Sequence, residues 1–208
     1  AARGVRVAIT AGREEPLRAA AGEIGATALV ADAGREEDVV RSVREAVGAL
    51  GGLDILVNNA GFGYHAPVER LDAGRFAEVW ATNVLGAALY VREVAPLFRA
   101  QRLGDVVSIA STSGTRGYET GTPYVATKFA LRGMSECWHA ELRRANIRVT
   151  CVCPSEVQTD FGGRHRAGID PKKLVAEDIA DAVVGVLELP GRVLLPEYRV
   201  IATNPFAV

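Results

Sequence analysis

Three side chains combine types and spacing that suit proton transfer: Ser111, Tyr124 and Lys128. Tyr124 and Lys128 stand four apart near the start of a helical pattern, so both project from one face and can reach the same small molecule. An ammonium beside a phenol favours the phenolate, and Lys128 is therefore expected to lower the Tyr124 pKa from its ordinary value of about 10 towards neutrality. Ser111 closes the apolar run Val106-Val107-Ser108-Ile109-Ala110, which reads as a buried strand. Strand ends of a parallel sheet face the crevice in which such folds bind ligands. Each feature alone has a plainer reading. A Tyr-x-x-x-Lys on a helix is most often a solvated pair, and a serine in a Ser/Thr-rich loop most often caps backbone.

The elements that must position these groups follow from periodicity. Apolar runs at 5–10, 27–31, 53–57, 105–110, 147–153 and 198–202 read as strands. Patterns with helical spacing cover 14–24, 36–50, 75–101, 124–145 and 176–188, and a loop is expected over 154–171. No linker, repeat or low-complexity segment interrupts the alternation, so residues 1–208 read as a single domain. Strands alternating with helices imply a parallel sheet covered on both faces, the doubly wound α/β class of Rossmann type.

Composition excludes several function classes. The 24 basic and 25 acidic residues give a formal charge of -1 with no long run of one sign, which argues against bulk-charge binding to nucleic acid or a membrane surface. No apolar stretch approaches the roughly 20 residues needed to span a bilayer. The first residues lack the pattern of a secretory signal. Three cysteines suggest no disulfide framework, so a cytoplasmic setting is expected. Cys151 and Cys153 fall on one side of a strand, but with no second Cys or His cluster nearby they read as core thiols, and no metal is expected.

Architecture alone leaves the chemistry open. The motifs narrow it: Tyr124 follows Ser111 by 13 positions and precedes Lys128 by four, and this order resembles the catalytic signature of the short-chain dehydrogenase/reductase family. The resemblance runs along the whole sequence. Asp32, with Ala33 beside it after a strand, resembles the family's adenine-contacting aspartate. Asn58-Asn59-Ala60-Gly61 resembles its Asn-Asn-Ala-Gly turn, which read by itself is simply a turn, and Asn83 resembles the asparagine completing its catalytic tetrad. Pro154-Ser155-Glu156-Val157-Gln158-Thr159 resembles its Pro-Gly-x-x-x-Thr segment.

The resemblance implies a hydride transfer between a nicotinamide cofactor and a carbonyl or secondary alcohol, with Tyr124 as proton donor or acceptor. Ser111 would hold the reacting oxygen, Lys128 the nicotinamide ribose, and Asn83 a water behind the lysine. Asn59, Ala60, Gly61, Pro154, Val157 and Thr159 would line the cofactor alongside Tyr124 and Lys128. Arg13 at the end of the second family strand, with no acid at Ala11 or Gly12, favours NADP over NAD, although Glu14 and Glu15 oppose it. Tyr64, His65, Tyr118 and Phe161 are candidates to line the substrate pocket, and His165 lies in a Gly- and Arg-containing loop that would cover it. The resemblance also implies a homodimer or homotetramer packed through the helices over 75–101 and 124–145.

One departure stands out. The family begins with a strand, a Gly-rich turn and a helix that close on the cofactor pyrophosphate, and no such segment is present. Thr10-Ala11-Gly12 cannot be its start, because Asp32 and Asn58 then fall one βα unit early. About 30 residues, the size of one such unit, are thus expected to be missing at the front, where the absent strand would lie between those ending at Thr10 and Val57. The sequence is accordingly expected to be an incomplete record or a truncated product. A second function class, a non-catalytic scaffold or binding protein of the same fold, rests on that departure alone. Ser155 and Ser108, where the family often has Gly and Asn, remove no catalytic group.

Overall fold

Helices α1 (Glu14–Ile24) and α2 (Glu36–Leu50) each stop at a glycine in the left-handed region, Gly25 at φ 65° and Gly51 at φ 72°. A side chain is strained there, so the glycine ends the helix and turns the chain into the next strand. The structure, a computed structural model, describes residues 4–161 and 168–204.

The strands are β1 (Ala8–Ala11), β2 (Thr27–Val30), β3 (Ile55–Asn58), β4 (Gly104–Ile109), β5 (Ile147–Pro154), β6 (Val157–Gln158), β7 (Leu174–Val175) and β8 (Glu197–Val200). Among the described residues every pairing is parallel. The order β3-β4-β5-β8 forms the main sheet, β1 pairs with β2, and β6 with β7. β5 is buried along nearly its whole length, as a strand covered on both faces must be. The alternating residues Ile147, Val149, Cys151 and Cys153 face α4 (Ala87–Gln101) and α5 (Thr122–Leu142), where Val94, Phe98, Leu131 and Leu142 complete the core. The doubly wound parallel α/β class is thus the observed one.

Among the described residues no ladder joins β1 to β3, and Thr10, Ala11 and Val57 on those strands are exposed. The sequence reading expects a further central strand at this point. The two sheets are held together instead by α2 packing on α4, where Tyr90 Oη lies 3.1 Å from Ser42 Oγ and donates to Thr10 Oγ1 at 3.5 Å.

Three expectations need correction. The single helix over 75–101 is α3 (Ala73–Trp80), a π-helical stretch Ala81–Gly86, and α4. Periodicity cannot separate a wide turn from an ordinary one, and the wide turn is what rotates Asn83 inward. The expected loop 154–171 contains β6, which pairs with the short strand β7 that sequence did not reveal. The last strand begins at Glu197, not Tyr198. Among the described residues, no helix is long and apolar enough to cross a membrane.

Candidate active site

β4 delivers Ser111 to the sheet's carboxyl edge. The Ser111 hydroxyl accepts from Ser113 N–H at 3.1 Å and donates weakly to Pro154 O at 3.5 Å, which joins the ends of β4 and β5. Pro123 near the start of α5 lacks the N–H that a helix's first turn leaves unbonded, and it starts the helix that carries Tyr124 and Lys128. Both are buried.

The electrostatics run opposite to the expectation for Tyr124. Burial pushes its phenol up to about 12, the Ser111 hydroxyl pulls it down, and Tyr118 nearby raises it further. Lys128 does not reverse this: its ammonium is spent on the Ile109 carbonyl rather than on the phenol. Burial drops Lys128 to about 8, partly offset by the Cys151 and Cys153 thiols. Its Nζ donates to Ile109 O at 2.8 Å and lies 5.7 Å from the centre of the Tyr124 ring. The lysine is therefore held against the backbone of β4, two residues from Ser111.

Asn83 is buried, and all its side-chain bonds are spent on positioning. Its Oδ1 accepts from Phe62 N–H at 3.0 Å, and its Nδ2 donates to Phe62 O at 3.0 Å and to Thr127 Oγ1 at 3.2 Å. Thr127, which the sequence reading missed, in turn donates to Tyr124 O at 2.7 Å. Its place three residues after Tyr124 is the only signal that could have found it.

The aromatic candidates separate. His65 Nε2 lies 3.1 Å from Tyr118 Oη, and the His65 ring is 5.6 Å from that of Tyr124. Phe161 lies 5.7 Å from the same ring. These three surround the Tyr124 phenol. Tyr64 does not: it packs in a separate cluster with Ala66 and Val79, and its hydroxyl accepts from Asp72 N–H at 2.8 Å. Tyr64 and His65, though neighbours in sequence, therefore do not share one pocket. His165 lies outside the described residues.

Of the cofactor candidates, Arg13 is exposed just past β1 as the N-cap of α1. Asp32 Oδ1 accepts from Gly34 N–H at 2.9 Å, which shapes the loop after β2. Ala33 abuts the end of the π-helical stretch so closely that a Cβ on Gly86 would lie 2.3 Å from Ala33 O. Asn59 and Ala60 are exposed at the end of β3, and a Cβ on Gly61 would sit 3.0 Å from Asn83 Oδ1. Pro154 is buried, Val157 half-buried, and Thr159 exposed with its Oγ1 accepting from Phe161 N–H at 3.3 Å.

The dithiol on β5 has a neighbour that the sequence reading did not foresee. Cys151 Sγ and Cys153 Sγ are 4.0 Å apart, and a Glu197 carboxylate oxygen from β8 falls within 4.8 Å of both. Donation to Cys153 and burial hold the Cys151 thiol far above its ordinary range. That same bond lowers Cys153, with Arg132 and the Ser111 N–H also favouring its thiolate.

A serine, a buried tyrosine and a buried lysine at the carboxyl edge of a parallel sheet can pass a proton to or from one small oxygen-bearing ligand. The sequence profile described as short chain dehydrogenase matches residues 1–170. The chain belongs to the short-chain dehydrogenase family. Within the family, human retinol dehydrogenase 8 is 37% identical over 173 residues, which cover 78% of this chain and 55% of that protein. The 3-oxoacyl-[acyl-carrier-protein] reductase of Bos taurus is 32% identical over 198 residues, 91% of this chain and 84% of the relative. The closed form of a serine dehydrogenase complexed with NADP+ superposes with a TM-score of 0.89 at 25% identity, covering 100% of this chain and 89% of that one. Three other curated relatives are matched over only 49% to 65% of their length, so the chain spans less than two thirds of them.

Proposed function

We propose that this short-chain dehydrogenase family member is an oxidoreductase that interconverts a carbonyl compound and its secondary alcohol with NADP(H). The observation that carries the reading is a buried Tyr124 phenol that the Ser111 hydroxyl acidifies, on the same helix as the buried ammonium of Lys128.

The donor set fits the nicotinamide half of such a cofactor. The hydroxyl of Tyr124, the ammonium of Lys128 and Thr159 Oγ1 offer polar contacts to a ribose and a carboxamide, while Asn59, Ala60, Gly61, Pro154 and Val157 form the loops around them. Arg13, Asp32 and Ala33 are assigned to the adenosine end. The first turn of α1 is unsuited to the pyrophosphate, because Glu14 and Glu15 put two carboxylates where an anion would sit. When bound, the nicotinamide supplies or takes up the hydride.

The chain's own residues handle the oxygen. Tyr124 is protonated at neutral pH and donates its proton to the substrate oxygen in the reductive direction, while Ser111 donates a hydrogen bond to that oxygen as charge develops. Thr127 and Asn83 fix the backbone of Tyr124 and of the loop at Phe62. His65, Tyr118 and Phe161 favour an apolar group, such as a ketone or 3-oxoacyl chain, next to the reacting carbon. Exposed Trp80, Leu85, Leu97 and Phe129 on α3, α4, α5 and the π-helical stretch support assembly as a homodimer or homotetramer.

Tyr124→Phe tests the reading. Reduction of ketones with NADPH is expected to fall by at least about 1,000-fold with NADPH binding unchanged. Retained turnover would refute the role of Tyr124, and tighter binding of NADH than NADPH would refute the cofactor choice. A cofactor-free scaffold of the same fold is the second reading, favoured by the facing edges of β1 and β3, which no ladder joins among the described residues. It predicts no binding of either nucleotide.

A further inference from the structure

Beneath α5, on the face of β5 that packs against that helix, two thiols and a carboxylate converge. Cys151 and Cys153 are side by side on one face of β5, with Sγ atoms 4.0 Å apart. A tetrahedral thiophilic cation with metal–sulfur bonds of about 2.3 Å holds its sulfurs about 3.8 Å apart, so the pair is nearly in place without backbone movement. Glu197 comes from the adjacent strand, and its ligand oxygen lies within 4.8 Å of both sulfurs. These are three ligands of the kinds zinc and cadmium take, from two neighbouring strands of one rigid sheet.

The surroundings complete the chemistry. Two thiolates and one carboxylate about a divalent cation leave one negative charge, and the Arg132 guanidinium, 2.7 Å from Glu197 Oε2, offsets it. Ala87, Ala110, Leu131, Met134 and Trp138 form a dry wall that keeps water from competing. On the other side a cavity of about 260 Å³, lined by Arg132, Ser135, Glu136, His139, Cys151 and Glu197 among others, gives the ion a way in. His139 Nδ1 is shielded from solvent and has no hydrogen-bond partner, so the cavity wall also carries an unsatisfied nitrogen.

We propose that Cys151, Cys153 and Glu197 form a binding site for one thiophilic divalent cation, Zn²⁺ or its probe Cd²⁺, reached through the cavity beside Arg132 and His139. Binding forms two metal–sulfur bonds and one metal–oxygen bond and releases the two thiol protons to solvent; nothing is oxidised or reduced. Such a site requires neither bound nucleotide nor turnover, so its test is independent of the catalytic reading.

The experiment is a Cd²⁺ titration of the full chain carrying Cys137→Ser, which removes the exposed thiol. A phosphine keeps the cysteines reduced, and the ultraviolet thiolate-to-cadmium band is the readout. One Cd²⁺ per chain is expected, displaced by Zn²⁺. Cys151→Ser or Cys153→Ser should abolish the band, and Glu197→Gln should weaken binding about 10-fold while leaving both thiols in place. Absence of the band in protein that circular dichroism shows folded would overturn the proposal. So would a band that survives either cysteine change, or an affinity untouched by Glu197→Gln, which also serves if the cysteine variants do not fold.

Discussion

Replacing Lys128 with methionine isolates the consequence of burying an ammonium behind the phenol. The thioether keeps nearly the same length and packing but carries no charge. In the folded protein the Lys128 pKa is lowered by burial from 10.5 to about 8, and at about 1.36 kcal/mol per pH unit this is an unfavourable contribution of roughly 3 kcal/mol at neutral pH. Between those two values the unfolded chain binds more protons than the folded one, so stability rises with pH through the window. The wild-type protein should gain about 2.5 kcal/mol relative to Lys128→Met between pH 7 and pH 10. At pH 7 the variant loses the bond to Ile109 O, worth about 2 kcal/mol for a charged donor, but escapes the burial penalty. It should therefore be at least as stable as wild type while losing turnover. Urea unfolding followed by the fluorescence of Trp80 and Trp138, with chelator and reductant present, measures both proteins at each pH. A stability difference that stays constant with pH, or one that moves against the wild type as pH rises, would refute the reasoning.

Arg148 bridges β5 to β4 through a two-pronged pair with Asp105 at 2.6 and 3.0 Å and also holds the carbonyls of Leu187 and Leu189. Arg148→Met should cost about 3 kcal/mol in urea unfolding, part of it recovered by adding Asp105→Asn. Asn83→Ala removes the bonds to Phe62 and Thr127 and should cost about 2 kcal/mol, with faster hydrogen exchange at Phe62 N–H. Gly86→Ala puts a Cβ against Ala33 O and should cost about 2 kcal/mol, because the loop after β2 must move. A circular-dichroism melt unchanged by that substitution would show that the close approach is not needed.

The sequence by itself determined the alternation of elements and the candidate proton-transfer groups. Period-2 apolar runs and helical spacing follow from local geometry, which is why β5 and α5 lie close to where they are expected. The four-residue step from Tyr124 to Lys128 puts both on one face wherever that segment is helical. Tertiary structure alone decided the rest. Acidity depends on how much water a group loses, so only packing could reveal that Tyr124 is raised to about 12 and not lowered. Only the π-helical turn sends Asn83 to Phe62 and Thr127, and only loop geometry parts Tyr64 from His65, Tyr118 and Phe161. The meeting of Glu197 with Cys151 and Cys153 needs β8 laid beside β5, a contact between residues distant in sequence that no local pattern records.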